Sequence, residues 1–382
     1  VTQHLIRTVK QLEKAIKVLS SCKVLAHDTE TTGLYPYHGD YAFSHIFANA
    51  TDEYYFDFSR IPRKHARKLQ PILDDPSRII FYINAKFDVA ISRNDGLKFH
   101  CKLVDVPALA RVEYNKHKAN QGDSFLSMDY LAEHYLDRRK DDKVKAYVKE
   151  HGLYKTDAMG DEQALDYAAV PIKLIFPYAC QDGRLTYDLG MRVSQLINEK
   201  ADEYAEANPY NKTMVDLCKN EIAFTKVLCN IQRTGMLCDV PYTKRAYKHE
   251  LRVSETSTAE VRKIIGSKFN PNSPKQISAY VMGKLGLQLP KKMVKKPGTY
   301  KKIWKGNYKT DEDTLAALNV PILNTLIKAK KAQKKANTYY SNFLKFKDSK
   351  NIVHCNLHQE TAKTGRTSSS KPNFQNMAKD DV

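Results

Sequence analysis

Residues 23–28, KVLAHD, form a short apolar run that closes on Asp28, and Glu30 follows two positions later in HDTETTGL. Such a run bounded by polar residues reads as a buried strand. Side chains alternate along a strand, so Asp28 and Glu30 leave one edge of a sheet on the same side, while His27 faces the other way as packing. Two like charges placed together are costly unless a cation neutralises them. Oxygen-only ligands favour a hard ion, Mg2+ or Mn2+.

Two further segments supply acids. Residues 79–83, IIFYI, read as a second buried strand running into a helix from about Asn84, and NAKFD sets Asn84 and Asp88 four residues apart on one helical face. In YACQD, Tyr178 and Asp182 are also four apart, within a helical stretch over 178–197. Four carboxylates from three segments suit two divalent metal ions about 4 Å apart, the arrangement used for phosphodiester chemistry. One ion would activate the attacking water and the other would steady the leaving 3′ oxygen. The Tyr178 hydroxyl would orient the water.

The remaining pattern organises the chain around these segments. Residues 41–49 and 53–58, YAFSHIFAN and EYYFDF, read as a β-meander, and 104–113 and 127–136 have helical spacing. Strands followed mostly by helices indicate an α/β or α+β domain ending near residue 200. Residues 198–213 are polar with one Pro, a hinge. Beyond it, 215–233 and 321–347 read as amphipathic helices, the first stopping at Thr234-Gly235.

Composition excludes several classes. The 382 residues allow two or three domains, and no apolar run approaches a membrane span. The charged amphipathic N-terminus lacks the features of a secretory signal. Seven cysteines without a CxxC pair exclude a disulfide framework or zinc ribbon and fit a reducing intracellular setting, the cytoplasm. No Walker A, G-x-S-x-G or HExxH sequence occurs. Charge is lopsided. The net formal charge is +19, and residues 261–382 hold 25 Lys/Arg against 7 Asp/Glu, nearly the whole excess. A near-neutral body joined to a basic one points to a polyanion partner. Residues 291–309 carry eight lysines and no acid, with Gly and Pro, and read as a mobile basic loop. Its Tyr300 and Trp304 either stack on bases or anchor the loop.

D-x-E, N-x-x-x-D and Y-x-x-x-D, in this order, resemble the proofreading 3′–5′ exonucleases of the DEDD type, tyrosine subclass. The resemblance implies a ribonuclease-H-like fold for about residues 1–200. It implies Asp28, Glu30, Asp88 and Asp182 as ligands of two Mg2+ (or Mn2+) ions and Tyr178 as the water-positioning group. Leu34 matches a position that wedges against the terminal bases. Asn84 and Lys86 either bind substrate or hold their motif together.

Later segments resemble family A DNA polymerases. CNIQRTGMLCDV (229–240), FNPNSPKQI (269–277) and YKTDEDTLAAL (308–318) resemble thumb sequences, with Asn272, Ser273 and Gln276 implied at DNA. TGRTSSSKPNFQN (364–376) matches the signature that opens the palm, with Thr364, Arg366, Asn373, Gln375 and Asn376 implied as duplex contacts. Donors and acceptors of this kind reach the minor-groove acceptors shared by all base pairs. The expected organisation is an α/β exonuclease domain with a mixed sheet (1–200), a linker (201–214), a mainly helical basic thumb (215–350) and the start of a palm (351–382). The layout resembles phage-type enzymes.

The implied function is part of a DNA-directed DNA polymerase used in replication, trimming the primer 3′ end. Its partners would be a single-stranded 3′ end, primer-template DNA, a C-terminal palm and fingers segment or second chain, and a processivity factor, with no membrane. After QNM the sequence reads AKDDV, so the polymerase catalytic motifs are not among these residues, as in a truncated or a split enzyme. Two alternatives stay open: a stand-alone DEDD nuclease acting on DNA or RNA, and a non-catalytic DNA-binding subunit of a split polymerase.

Overall fold

The structure, a computed structural model, describes residues 1–114, 126–140, 142–201, 214–295, 302–362 and 364–377. It divides into two compact units, Val1–Gly235 with His354–Gln375, and Met236–Val353 with the C-terminal residues from Asn376.

The first unit is built on a six-stranded mixed sheet of β1 (Thr2–Ile6), β2 (Val24–Thr31), β3 (Ala42–Ala48), β4 (Asp52–Asp57), β5 (Ile79–Tyr82) and β6 (Lys102–Asp105). Their order across the sheet is β1-β4-β3-β2-β5-β6. The β2–β3–β4 meander is antiparallel, while β5 and β6 continue from β2 in parallel. This is the α/β architecture that the sequence implies. The outermost strands escaped the sequence reading. β1 is a short strand, exposed at its start and buried at Ile6, beside a charged helix, and β6 was absorbed into the helical spacing of 104–113. The Val9–Leu19 helix that follows β1 starts at a reciprocal cap between Thr8 and Gln11.

Alternation along β2 sorts its residues between two cores. Leu25 joins an apolar cluster with Leu12, Ile80 and Val89, and Ala26 joins another with Phe81, Leu189 and Val193. The Ala85–Arg93 helix belongs to the first layer and the Ile172–Glu199 helix to the second. The long helix lies close against the sheet because its sequence is small where it crosses. A Cβ at Gly183 would sit 2.9 Å from Ile46 Cγ2, and one at Gly190 would sit 2.3 Å from Phe81 Cγ. Asp182, next to Gly183, is thereby brought to the strand that carries Asp28 and Glu30.

The Met214–Thr234 helix, expected from the sequence to open the thumb, belongs to the first unit and ends at Gly235, whose φ is 61°. It pairs with the returning chain. Gln232 Oε1 accepts the Leu357 amide at 2.7 Å, and Gln359 hydrogen-bonds Thr225 and Glu221. The TGRTSSSKPNFQN segment contributes Ser368–Ser370 to a two-stranded sheet with Asn356–His358. Of the expected linker, residues 202–213 lie outside the described residues.

The second unit is mainly helical. The Val240–Ile265 helix packs on Pro321–Lys334, which continues through a π-helical stretch to Phe346. Val261, Phe269, Ile277, Leu323 and Leu326 form its core. The described parts of 291–309 depart from the expected mobile loop. Lys291–Lys295 and Lys302–Tyr308 pair as an antiparallel ribbon, with Met293 opposite Trp304. Trp304 is held within the ribbon: its indole N–H donates to the Asn307 carbonyl at 3.0 Å, and the Lys291 ammonium lies 4.9 Å from its ring centre. Tyr300 falls outside the described residues. Among the described residues, no helix is long and apolar enough to cross a membrane.

Candidate active site

Asp28 and Glu30 project from β2, and Asp182 projects toward them from the Ile172–Glu199 helix. One carboxylate oxygen from each lies within 4.8 Å of the other two. Glu30 is 9% and Asp182 5% exposed, and Asp28 is partly buried. Burial and the mutual repulsion of these acids raise their pKa values. Asp28 is pushed up to about 7, first by burial and then by Asp182. Glu30 is raised well above its ordinary value by burial, then by Asp28 and Asp182. Burial takes Asp182 up to about 6, with Lys140 pulling in the opposite direction.

Asp182 is asymmetric. Its Oδ2 lies 2.7 Å from the Lys140 ammonium, whereas its buried Oδ1 has no hydrogen-bond partner. An orphaned carboxylate oxygen beside two further carboxylates is the donor set that a hard cation takes. The residues present therefore fit a divalent metal.

Asp88 arrives from the other layer. It is buried on the Ala85–Arg93 helix and accepts a hydrogen bond from the Thr29 hydroxyl at 2.7 Å. It stands outside the three-carboxylate group. Burial raises its pKa well above the usual carboxylate range, and the Asp28 charge adds to this. Thr29 thus ties the second acidic segment to the D-x-E strand from the face that carries neither acid. Behind it, His27 is buried, hydrogen-bonds Tyr82 and His45, and stacks on Phe47 at 4.3 Å.

Tyr178 stands one turn before Asp182, after Pro177, and its hydroxyl hydrogen-bonds both Asp182 and Lys140. Burial raises the tyrosine pKa, and the Asp182 charge adds to this. Burial works against the charged form of Lys140, but Asp182 and Tyr178 outweigh it and raise its pKa, so the ammonium is retained.

The other expected site residues have varied placements. Leu34 is 67% exposed beyond the end of β2. Asn84 is exposed, enters its helix at φ 67°, and its amide donates to Asp105 Oδ1 at 3.0 Å. Lys86 is 3% exposed, 2.9 Å from Asp105 and 3.7 Å from Glu360. Of the two roles left open for Lys86, this geometry is that of a buried tie. Asn272 donates to Gln333, Ser273 caps the Pro274–Ala279 helix, and Gln276 Oε1 accepts the Asn270 amide. Ser273 and Gln276 brace their own turn, Asn272 ties it to the Pro321–Lys334 helix, and Asn272 and Gln276 are at the surface. Asn373 accepts from Ser369 and from the Gln375 amide, and Gln375 donates to Thr367. Thr364, Arg366, Gln375 and Asn376 are exposed.

Sequence reasoning missed Lys140 and Thr29. Thr29 was available from alternation, lying between the two acids. Lys140 sits in DRRKDD with no local sign that sets it apart from its basic neighbours.

Comparison with known proteins agrees with this geometry. A family described as 3′-5′ exonuclease matches residues 3–198, and DNA polymerase family A matches residues 242–381. DNA polymerase I of Borreliella burgdorferi is 26% identical over 379 residues, covering 97% of this chain and 37% of the relative. DNA polymerase I of Helicobacter pylori is 33% identical over 181 residues, or 46% of this chain and 18% of the relative. DNA polymerase DpoZ of Vibrio phage phiVC8 is 24% identical over 94% of this chain and 55% of its own length. The chain thus spans 18–55% of these relatives. The POL domain of Pol1 from M. smegmatis, solved with DNA primer-template and dNTP, superposes with a TM-score of 0.72. It covers 99% of this chain and 56% of that one at 19% identity, a likeness of fold. The chain belongs to DNA polymerase family A, with that family's 3′–5′ exonuclease domain over residues 3–198.

Proposed function

We propose that this chain hydrolyses the terminal phosphodiester of a DNA primer from its 3′ end, the editing activity of a family A polymerase. The observation that carries it is the group of Asp28, Glu30 and Asp182, with Asp88 tied in through Thr29 and one oxygen of Asp182 left without a partner. Asp28, Glu30 and Asp182 would hold one divalent ion, and Asp28 with Asp88 a second, Mg2+ or Mn2+. When bound, such a pair supplies Lewis-acid activation of water and stabilisation of the leaving oxygen. The protein's own groups do the remaining work. Tyr178, fixed by Asp182 and Lys140, orients the attacking water with its hydroxyl. Leu34 offers an exposed apolar surface to the terminal base. The basic second unit takes duplex phosphates without sequence preference. Arg366, Gln375 and Asn376 are exposed donors for the primer-template. The full enzyme, with its palm and fingers, would alternate this editing with synthesis.

The test is a 5′-labelled primer-template with a 3′ mismatch, incubated with Mg2+. The wild-type chain should shorten the primer one nucleotide at a time. The Asp28→Ala, Glu30→Ala double variant should bind the duplex and leave it intact. Metal-dependent trimming by that variant would refute the assignment of the site.

A further inference from the structure

Lys140 belongs to none of the acidic motifs, yet its ammonium pairs with one of their carboxylates, Asp182. It precedes the Lys143–Glu150 helix, and its side chain is 17% exposed. The ammonium lies 2.7 Å from Asp182 Oδ2 and 4.8 Å from the centre of the Tyr178 ring, and it also bonds the Tyr178 hydroxyl. Asp182 Oδ1 stays unpartnered. A side chain that served only to neutralise the acids would be expected to sit among all three. This one takes the Asp182 oxygen and the tyrosine that the proposed reaction uses.

We propose that Lys140 is a positioning residue of this centre: it holds Asp182 by Oδ2 so that Oδ1 faces the cation, and it fixes Tyr178 against the same carboxylate. The proposal rests on the metal-dependent exonuclease reading above. The ammonium and the cation claim different oxygens of one carboxylate, so they are bound together and do not exclude each other. A lysine has three donors on a compact head, enough to span a carboxylate and a phenol one helical turn apart. Groups that orient a ligand from behind commonly govern metal affinity or activity by about 10- to 100-fold.

The test uses the full chain, stripped with EDTA and titrated with Mn2+ alone by calorimetry, beside single-turnover trimming of the mismatched primer. Lys140→Met should weaken the tighter Mn2+ site by about 10-fold or more, and Lys140→Arg should recover most of the loss. At saturating metal, Lys140→Met combined with Tyr178→Phe should trim no more slowly than the slower single variant, because both act through the same hydroxyl. Unchanged or tighter Mn2+ binding by Lys140→Met would overturn the proposal, the tighter result making the ammonium a competitor of the metal. If Lys140→Met does not fold, Lys140→Gln takes its place under the same criteria. Asp182→Asn separates this inference from the reading beneath it. If Asp182→Asn still binds Mn2+ and trims like the wild type, the site itself is wrongly assigned. If Asp182→Asn loses both while Lys140→Met binds normally, only the role of Lys140 fails.

Discussion

Replacing Asp28 by Asn should stabilise the metal-free protein at alkaline pH while abolishing trimming. Asp28 shares a small space with Glu30 and Asp182, and burial followed by the Asp182 charge raises its pKa to about 7 from 3.8. An unfolded chain ionises this group near pH 4, whereas the folded chain keeps its proton until about pH 7. Below pH 4 both states are protonated and the group is neutral in the stability balance. As pH rises the unfolded state loses its proton first, so folding stability falls until pH passes 7 and the cost is complete. About 3 units at roughly 1.4 kcal/mol each give an upper value of about 4 kcal/mol. Asn removes this ionisation. EDTA-treated wild type and Asp28→Asn should be melted in urea at pH 5 and pH 8. The variant should be the more stable at pH 8, by up to about 4 kcal/mol, and the advantage should shrink by roughly 2–3 kcal/mol at pH 5. Equal stability at both pH values, or a less stable variant at pH 8, would refute the claim that these acids repel one another in a buried site.

Three further outcomes follow from the geometry. Lys86→Met strands Asp105 and Glu360 with Lys86's share of the pairing gone, so urea unfolding should show a loss of about 3–5 kcal/mol. Gly190→Ala places a methyl 2.3 Å from the Phe81 ring and should cost about 1–3 kcal/mol, measured as a lowered melting temperature, with Phe81→Leu restoring part of it. Leu34→Ala should leave stability within about 0.5 kcal/mol, since the side chain is 67% exposed, while slowing trimming of a mismatched end.

The carboxylates were legible because their geometry is local. Asp28 and Glu30 share a side because strands repeat every two residues, and Tyr178 faces with Asp182 because helices bring i and i+4 together. The meander of β3 and β4 and the helices read at 178–197, 215–233 and 321–347 were legible for the same reason, whereas the Val240–Ile265 helix was not read from the sequence. The failures also have physical causes. β1 and β6 are short strands whose pairing partners, β4 and β5, are distant in the chain. The pairing of Lys291–Lys295 with Lys302–Tyr308 was hidden by lysines, which report solvent exposure and not backbone conformation.

The sequence by itself determined which acids exist, which neighbours share a face, and that a basic region follows a near-neutral one. All of these depend on spacing along the chain. Only the tertiary structure decided that Lys140 meets Asp182 and Tyr178, that Thr29 reaches across to Asp88, and that Lys86 is buried against Asp105 and Glu360. These contacts join residues 19 to 274 positions apart in the chain. Asp182 reaches the site because two glycines let its helix close on the sheet, and Glu360 reaches Lys86 because the returning segment His354–Gln375 joins the first unit. No local period encodes such pairings; packing does, by bringing distant side chains to one place, where a buried charge without a partner is costly.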